Sequence, residues 1–111
     1  MGEPRIKAAI WISAALRRGD LEGKPGLIIR RGDADAGGVL VVLHGRNGDV
    51  ILNQFRDMNG ELAWMRGTGP QPVNDTVADA YVRKQVSYDP DIWVIEFEAA
   101  DYLPPFEAKV V

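Results

Sequence analysis

The chain contains no cysteine and only one histidine, His44. The first absence excludes disulfide scaffolds, thiol nucleophiles, thiolate zinc sites and iron–sulfur clusters. The second excludes a metal centre built from several imidazoles. Long hydrophobic runs are missing too. The longest near the N-terminus covers residues 8–16 and is interrupted by Ser13, well short of the about 20 apolar residues a membrane span needs. It also makes a poor signal-peptide core. Glu3 stands where a basic leader belongs, and Arg17-Arg18-Gly19-Asp20 stands where a small-residue cleavage site belongs. The segment reads as part of the fold, and the protein as cytoplasmic with no membrane partner.

A strong basic balance is also lacking. Lys and Arg number 13 against 16 Asp and Glu, a net charge of −3, and the isoelectric point is near 5.1. That argues against a dedicated nucleic-acid binder. The charge is uneven. Residues 1–55 carry eight Lys/Arg against six Asp/Glu, a net of +2, and residues 56–111 carry five against ten, a net of −5.

What is present is globular: 111 residues, 46% hydrophobic and 26% charged. A chain of this length buries roughly two-thirds of the surface its unfolded form exposes. No repeat, low-complexity stretch or linker divides it, so residues 1–111 read as a single domain.

After Pro4, the residues Ile6, Ala9, Ile10, Ala14 and Leu16 have the spacing of an apolar helix face, and four alanines raise helix propensity. Trp11 and Ile12 make the segment apolar nearly all round, so the helix is expected to be buried on more than one side. Gly19 or Gly23 would end it. A strand over residues 6–14 is the rival reading. Lys24-Pro25-Gly26 is punctuation, and residues 27–30 are a short strand. Residues 39–44 form a continuous apolar run, a strand covered on both faces. Asn47-Gly48 is a hairpin signal, because both central residues tolerate positive φ. Residues 50–55 return as a strand. Asn59-Gly60 repeats the signal before a strand over residues 61–66. These four strands predict an antiparallel meander.

Residues 73–86 read as a helix capped by Asn74 or Asp75, with Val77, Ala80 and Tyr81 inward and Asp79–Arg83 as an exposed i, i+4 pair. Asp89-Pro90-Asp91 breaks it. Residues 92–98 alternate, with Trp93, Ile95 and Phe97 on one face and Val94, Glu96 and Glu98 on the other. Residues 99–111 form a tail whose aromatics dock on the body. The order α-β-β-β-β-α-β predicts an α+β domain, with two helices packed on one face of a mainly antiparallel meander sheet.

Several stretches invite a chemical reading. Arg31-Gly32-Asp33 spells a cell-adhesion tripeptide, which here reads as a strand end and turn. Asp33-Ala34-Asp35-Ala36-Gly37 resembles the opening of a calcium loop. Its glycine is fifth rather than sixth, and its twelfth residue is His44 rather than a glutamate. Asp33, Asp35, Asp89 and Asp91 would suit a hard cation if they met in space. Otherwise each braces its own turn by accepting backbone N–H bonds. Gly32, Gly37 and Gly38 with Arg30 and Arg31 have the composition of an anion nest, without the spacing of a phosphate loop or a dinucleotide fingerprint. His44, at the end of an apolar strand, reads as structural. Ser13 and Ser87 have no neighbouring base. Glu96 and Glu98 share a strand face, which suits acid–base work or the wet side of an edge strand. Trp93 reads as core. Trp64 beside Met65 is either core or an exposed anchor for a homodimer.

Four blocks together resemble a known family. They are Ile10-Trp11-Ile12 with Ala15-Leu16-Arg17-Arg18, Arg30-Arg31-Gly32-Asp33-Ala34-Asp35-Ala36-Gly37, Ala78-Asp79-Ala80-Tyr81, and Asp89-Pro90-Asp91-Ile92-Trp93-Val94-Ile95-Glu96. On these the chain resembles the small bacterial family known as domain of unknown function 1491. The resemblance implies a single small domain and no particular activity, cofactor or substrate.

The expectation is a cytoplasmic, non-catalytic binding or interaction module for a protein or small-molecule partner, without a cofactor. Arg30, Arg31, Gly32, Asp33, Asp35, Gly37, Asp89, Asp91 and Trp93 would form or support its recognition surface. The alternative is a metal-assisted hydrolase that uses the four aspartates as carboxylates and Arg31 to hold an anionic substrate.

Overall fold

The computed structural model describes residues 6–111. Glu3 and Pro4, used in the reading above, lie outside the described residues. The elements are α1 (Ala8–Leu21), β1 (Gly26–Arg30), β2 (Val39–Gly45), β3 (Gly48–Arg56), β4 (Leu62–Arg66), α2 (Asp75–Tyr88) and β5 (Trp93–Glu98). This is the α+β order expected, and three of the four strand pairings are antiparallel.

Five consecutive apolar residues at the start of β2 decide the layering. Side chains alternate along a strand. Val39, Val41 and Leu43 pack with Ala8, Ile12 and Ala15 of α1. Leu40 and Val42 pack with Ala78 of α2, and Tyr81, Val82 and Val86 close over them. The helices thus lie on opposite faces of the sheet, not together on one. A strand that is apolar on both sides needs cover on both sides, and a helix on each face supplies it.

The strand order is β1-β5-β2-β3-β4. β5 lies between β1 and β2, parallel to β2 and antiparallel to β1. The sheet is therefore mixed, and the expected four-strand meander shortens to β2-β3-β4. The reason lies in β5 itself. Trp93, Ile95 and Phe97 face α1, while Val94 faces α2. Apolar area on two faces is removed from water most completely in the middle of a sheet.

α1 buries Ala8, Ile12, Ala15 and Gly19, a spacing of four, three and four that marks one helical stripe. The expected face was rotated from this one, since Ile6 and Ile10 are exposed. The helix passes through Gly19, where a Cβ would lie 2.4 Å from the carbonyl oxygen of Lys24 and 2.8 Å from the Phe97 ring. It ends at Leu21, and Gly23, at φ +72°, turns the chain away just beyond. At its start, Ala8 and Ala9 donate their N–H groups to the carbonyls of Asp35 and Ala34, so the loop before β2 caps α1.

The β2–β3 hairpin turns on Arg46 and Asn47, with Gly45 paired to Gly48. Gly48, at φ +121°, is the residue after the turn and packs against the Val73 backbone. The Asn-Gly pair was expected at the centre and sits one residue later. Beyond β5 the chain crosses the α1 side. Phe106 meets the rings of Trp11, Trp64 and Phe97 at centroid distances of 5.0, 5.3 and 6.2 Å. The Trp64 N–H donates to the Lys109 carbonyl, and the Val111 N–H donates to the Trp64 carbonyl. Trp64 is consequently core, 1% exposed, and its ring is not available as a dimer anchor.

Candidate functional site

The two segments singled out in the sequence meet. The Asp33 N–H donates to the Asp91 carbonyl at 2.9 Å, and the Trp93 N–H donates to Gly38 at 2.8 Å. The Trp93 indole N–H donates to the Asp33 carbonyl at 2.8 Å, and Arg30 donates to the Ile92 carbonyl at 2.9 Å. The Arg31 guanidinium carbon lies 5.9 Å from the Trp93 ring centroid. A Cβ on Gly32 or Gly37 would lie 2.1 or 2.4 Å from the Asp91 carbonyl oxygen, so the crossing closes only with glycine at both positions. These bonds run mostly through the backbone and anchor the start of β5.

The aspartates play local roles there. Asp33 Oδ2 accepts from the N–H groups of Asp35 and Ala36, and Asp89 Oδ1 accepts from Asp91, as Asx-turns do. Asp35 lies 3.7 Å from Lys7. Among the described residues no three of Asp33, Asp35, Asp89 and Asp91 bring carboxylate oxygens within 4.8 Å of one another.

A different cluster forms on the α2 side, at the C-terminal end of β2 and β5. The Asn74 side chain caps α2 by accepting from the Val77 N–H. The chain just before the cap is tied to β3 by two backbone bonds between Val73 and Asp49. Asp49 is 5% exposed, the one charged residue buried among those described. The hairpin register sets it opposite His44, and His44 Nδ1 lies 2.6 Å from Asp49 Oδ1. The bond to Asp49 raises the His44 pKa above its ordinary value of 6.5. On the other side of His44 stands Glu98 of β5, and Glu96 stands beside Val42. Asp75, the first residue of α2, completes a group with His44 and Asp49 whose ligand atoms lie within 4.8 Å of one another. These are the described residues that could supply three donors to a metal ion. In the structure the imidazole already partners the buried carboxylate.

Glu96 and Glu98 do not mark an edge, because β5 is the second strand of the five. Glu96 is half-buried, and its pKa is raised, first by burial and then by the charge of Asp49. It borders a cleft of about 240 Å³ between α2 and the β1–β5 side of the sheet. The apolar lining is Ile29, Val42, Ala78, Val82 and Val94, and the charged lining is Asp49, Asp79, Glu96 and Arg83. Asp79 and Arg83, expected on the wet side of the helix, are both exposed and stand at the rim of this space. α2 packs against β3 at the other side of the sheet, which leaves the surface near β1 uncovered. There Leu27 and Ile29 remain 54% and 52% exposed.

Sequence reading missed this site, although part of it was within reach. A two-residue turn pairing Gly45 with Gly48 puts residue 44 opposite residue 49. The approach of Glu96 and Asp75 depends on where β5 inserts and on which face α2 covers. Neither is a local property.

A mixed five-stranded sheet with one helix on each face, held in one domain, defines a small α+β protein; no described helix is long and apolar enough to cross a membrane. The chain belongs to the family described as protein of unknown function (DUF1491), whose model matches residues 6–107. The crystal structure of a DUF1491 family protein from Caulobacter crescentus CB15 is 32% identical. It aligns over 96% of this chain and 100% of that one with a TM-score of 0.84. An NMR structure of a DUF1491 family protein from the same organism is 31% identical over 98% and 99% of the two chains, with a TM-score of 0.83. Protein Atu0922 from A. tumefaciens shares the fold at 19% identity and a TM-score of 0.78, over 95% of each chain. These relatives fit the bacterial family that the sequence resembled. No curated protein matches the chain.

Proposed function

We propose that this protein is a cytoplasmic, non-catalytic binding module whose ligand enters the cleft between α2 and the β1–β5 side of the sheet with a cationic group foremost. One observation carries the reading. Three carboxylates, Asp49, Asp79 and Glu96, border a largely apolar space in which Arg83 is the one guanidinium. Glu96, half-buried there, lacks part of the solvation that stabilises its charge. The raised pKa of Glu96 is the sign of that deficit. An ammonium or guanidinium placed there would offset it, while the apolar wall takes the rest of the ligand. The Arg30–Trp93 crossing has a supporting part in this reading, because it fixes the strand that carries Glu96. The hydrolase alternative draws less support, since Asp33 and Asp89 already hold their own turns.

Titration of the ¹⁵N-labelled protein with butylammonium and with butyrate tests the reading. Butylammonium is expected to shift the amides of residues 94–96 and 79–83, butyrate is not, and Glu96→Gln is expected to weaken the response several-fold. Equal shifts with both ions, or none in those segments, would remove the cleft as the binding site.

A further inference from the structure

The two borders of the sheet are treated differently. β4 is followed laterally by the chain's own C-terminal segment, through the Trp64 bonds to Lys109 and Val111. β1 has a single strand neighbour, β5, and its far side meets no strand among the described residues. Natural sheets usually shield such borders with charge, proline or covering segments, because an unpaired row of N–H and C=O groups accepts another strand. β1 has that protection at its two ends, Pro25 before it and a register shift between Ile28 and Arg30 at its close, and between them it turns Leu27 and Ile29 outward on the α2 side, each about half exposed. Ile29 also belongs to the cleft wall.

Taking the cleft reading as its basis, we infer that the ligand is an extended segment of a partner protein that pairs with β1 and carries a lysine or arginine into the cleft. The register supplies the reach. Leu27 stands opposite Glu96 in the β1–β5 pairing. A strand added outside β1 lies two strand spacings, about 9.5 Å, from β5. A side chain on it opposite Leu27 must therefore pass over the leucine to meet the Glu96 carboxylate. A lysine or arginine stem does this with its methylenes on apolar surface and its charge at the far end. Short side chains fall short, and acidic ones meet like charge from Asp49, Asp79 and Glu96. The backbone ladder would supply affinity and the alternate side chains specificity, as in other strand-addition complexes.

A second copy of this chain is a poorer occupant. In a β1–β1 pair, Leu27 and Ile29 would line the cleft side. Arg30, the basic residue of β1, has its guanidinium committed to the Ile92 carbonyl.

The test uses the whole protein and defined probes: an acetylated, amidated hexapeptide of alternating valine and lysine, the same peptide with norleucine for lysine, the same peptide N-methylated on odd or on even backbone nitrogens, and butylammonium. The alternating peptide is expected to shift the amides of residues 26–30 and 94–98 and to bind at least tenfold more tightly than butylammonium. Norleucine replacement, one of the two methylation patterns, and Glu96→Gln in the protein are each expected to cost tenfold or more. If butylammonium matches the peptide, or neither methylated peptide is impaired, strand pairing is wrong while the cleft reading stands. If neither the peptide nor butylammonium perturbs residues 94–98, both readings fall. Light scattering distinguishes a β1-mediated dimer, and a dimer dissociated by Leu27→Lys would also overturn the inference.

Discussion

His44 and Asp49 face each other across the two-residue β2–β3 turn, Nδ1 to Oδ1 at 2.6 Å, with the carboxylate buried and the imidazole more than one-third exposed. The pair ties a titratable cation to the most deeply buried acid described. Its pH dependence follows directly. The folded-state pKa of His44 lies above 6.5, so its stabilising contribution is complete below about pH 6.5 and is lost as pH rises through the folded value. Partial solvent exposure keeps the gain below about 1 kcal/mol. In urea titrations, His44→Gln is expected to cost more stability at pH 5.5 than at pH 9. The imidazole resonances of the native protein should titrate above 6.5 and return toward 6.5 in Asp49→Asn. A native titration at or below 6.5 would contradict the pairing.

Glu96 behaves in the opposite sense to most carboxylates. Asp49 and His44 face it from the hairpin, Glu98 from its own strand, and Asp75, Asp79 and Arg83 from α2. Burial and the neighbouring acids raise its pKa above the ordinary 4.5. The folded state therefore binds the proton more tightly than the unfolded chain. Stability from that proton is complete below about pH 4.5 and is lost as pH rises through the folded value. Glu96→Gln, which keeps the shape and drops the charge, is expected to raise the melting temperature at pH 7 and to change it little at pH 4. A lowered melting temperature at pH 7 would show that the carboxylate is already compensated.

How far these features can be read in advance depends on whether they are local. The run at residues 39–44 announces a strand covered on both faces, and the alternation of Trp93, Ile95 and Phe97 announces an inward face. Both hold. The order of strands does not follow, because the pairing of β5 with β2 joins residues more than 50 positions apart. The aspartate- and glycine-rich blocks drew attention for good reason, since they do meet. Their chemistry serves a backbone crossing. The cleft and its acids are assembled from β1, β2, β3, β5 and α2, and no single stretch carries a motif for them.

The crossing can be probed by adding one methyl group. A Cβ at position 32 would lie 2.1 Å from the backbone oxygen of Asp91 and 2.7 Å from the Trp93 ring, whereas one at position 38 meets nothing nearer than 3.9 Å. Gly32→Ala must displace backbone, at a cost of about 1–3 kcal/mol by the usual penalty for overpacking. Gly38→Ala should stay within about 0.5 kcal/mol. Paired denaturant titrations of the two variants decide this, and equal stability would mean that the segments do not cross as described.

Phe106 offers the corresponding test at the other side of the sheet. Its ring closes a cluster with Trp11, Trp64 and Phe97, and the segment just after it shields the β4 border through the Trp64 backbone. Phe106 is partly rather than fully buried, so Phe106→Ala is expected to fall near or below the low end of the usual cost of a core phenylalanine, about 2–3 kcal/mol. Two further effects separate loss of the cover from simple weakening of the core. Trp64, 1% exposed in the intact protein, should show red-shifted emission before global unfolding. The amide of Trp64, which donates to Lys109, should exchange with solvent faster than the β2 and β5 amides. If Trp64 stays protected while stability falls, the segment's backbone bonds hold the border without the ring, and Phe106 acts only as core volume.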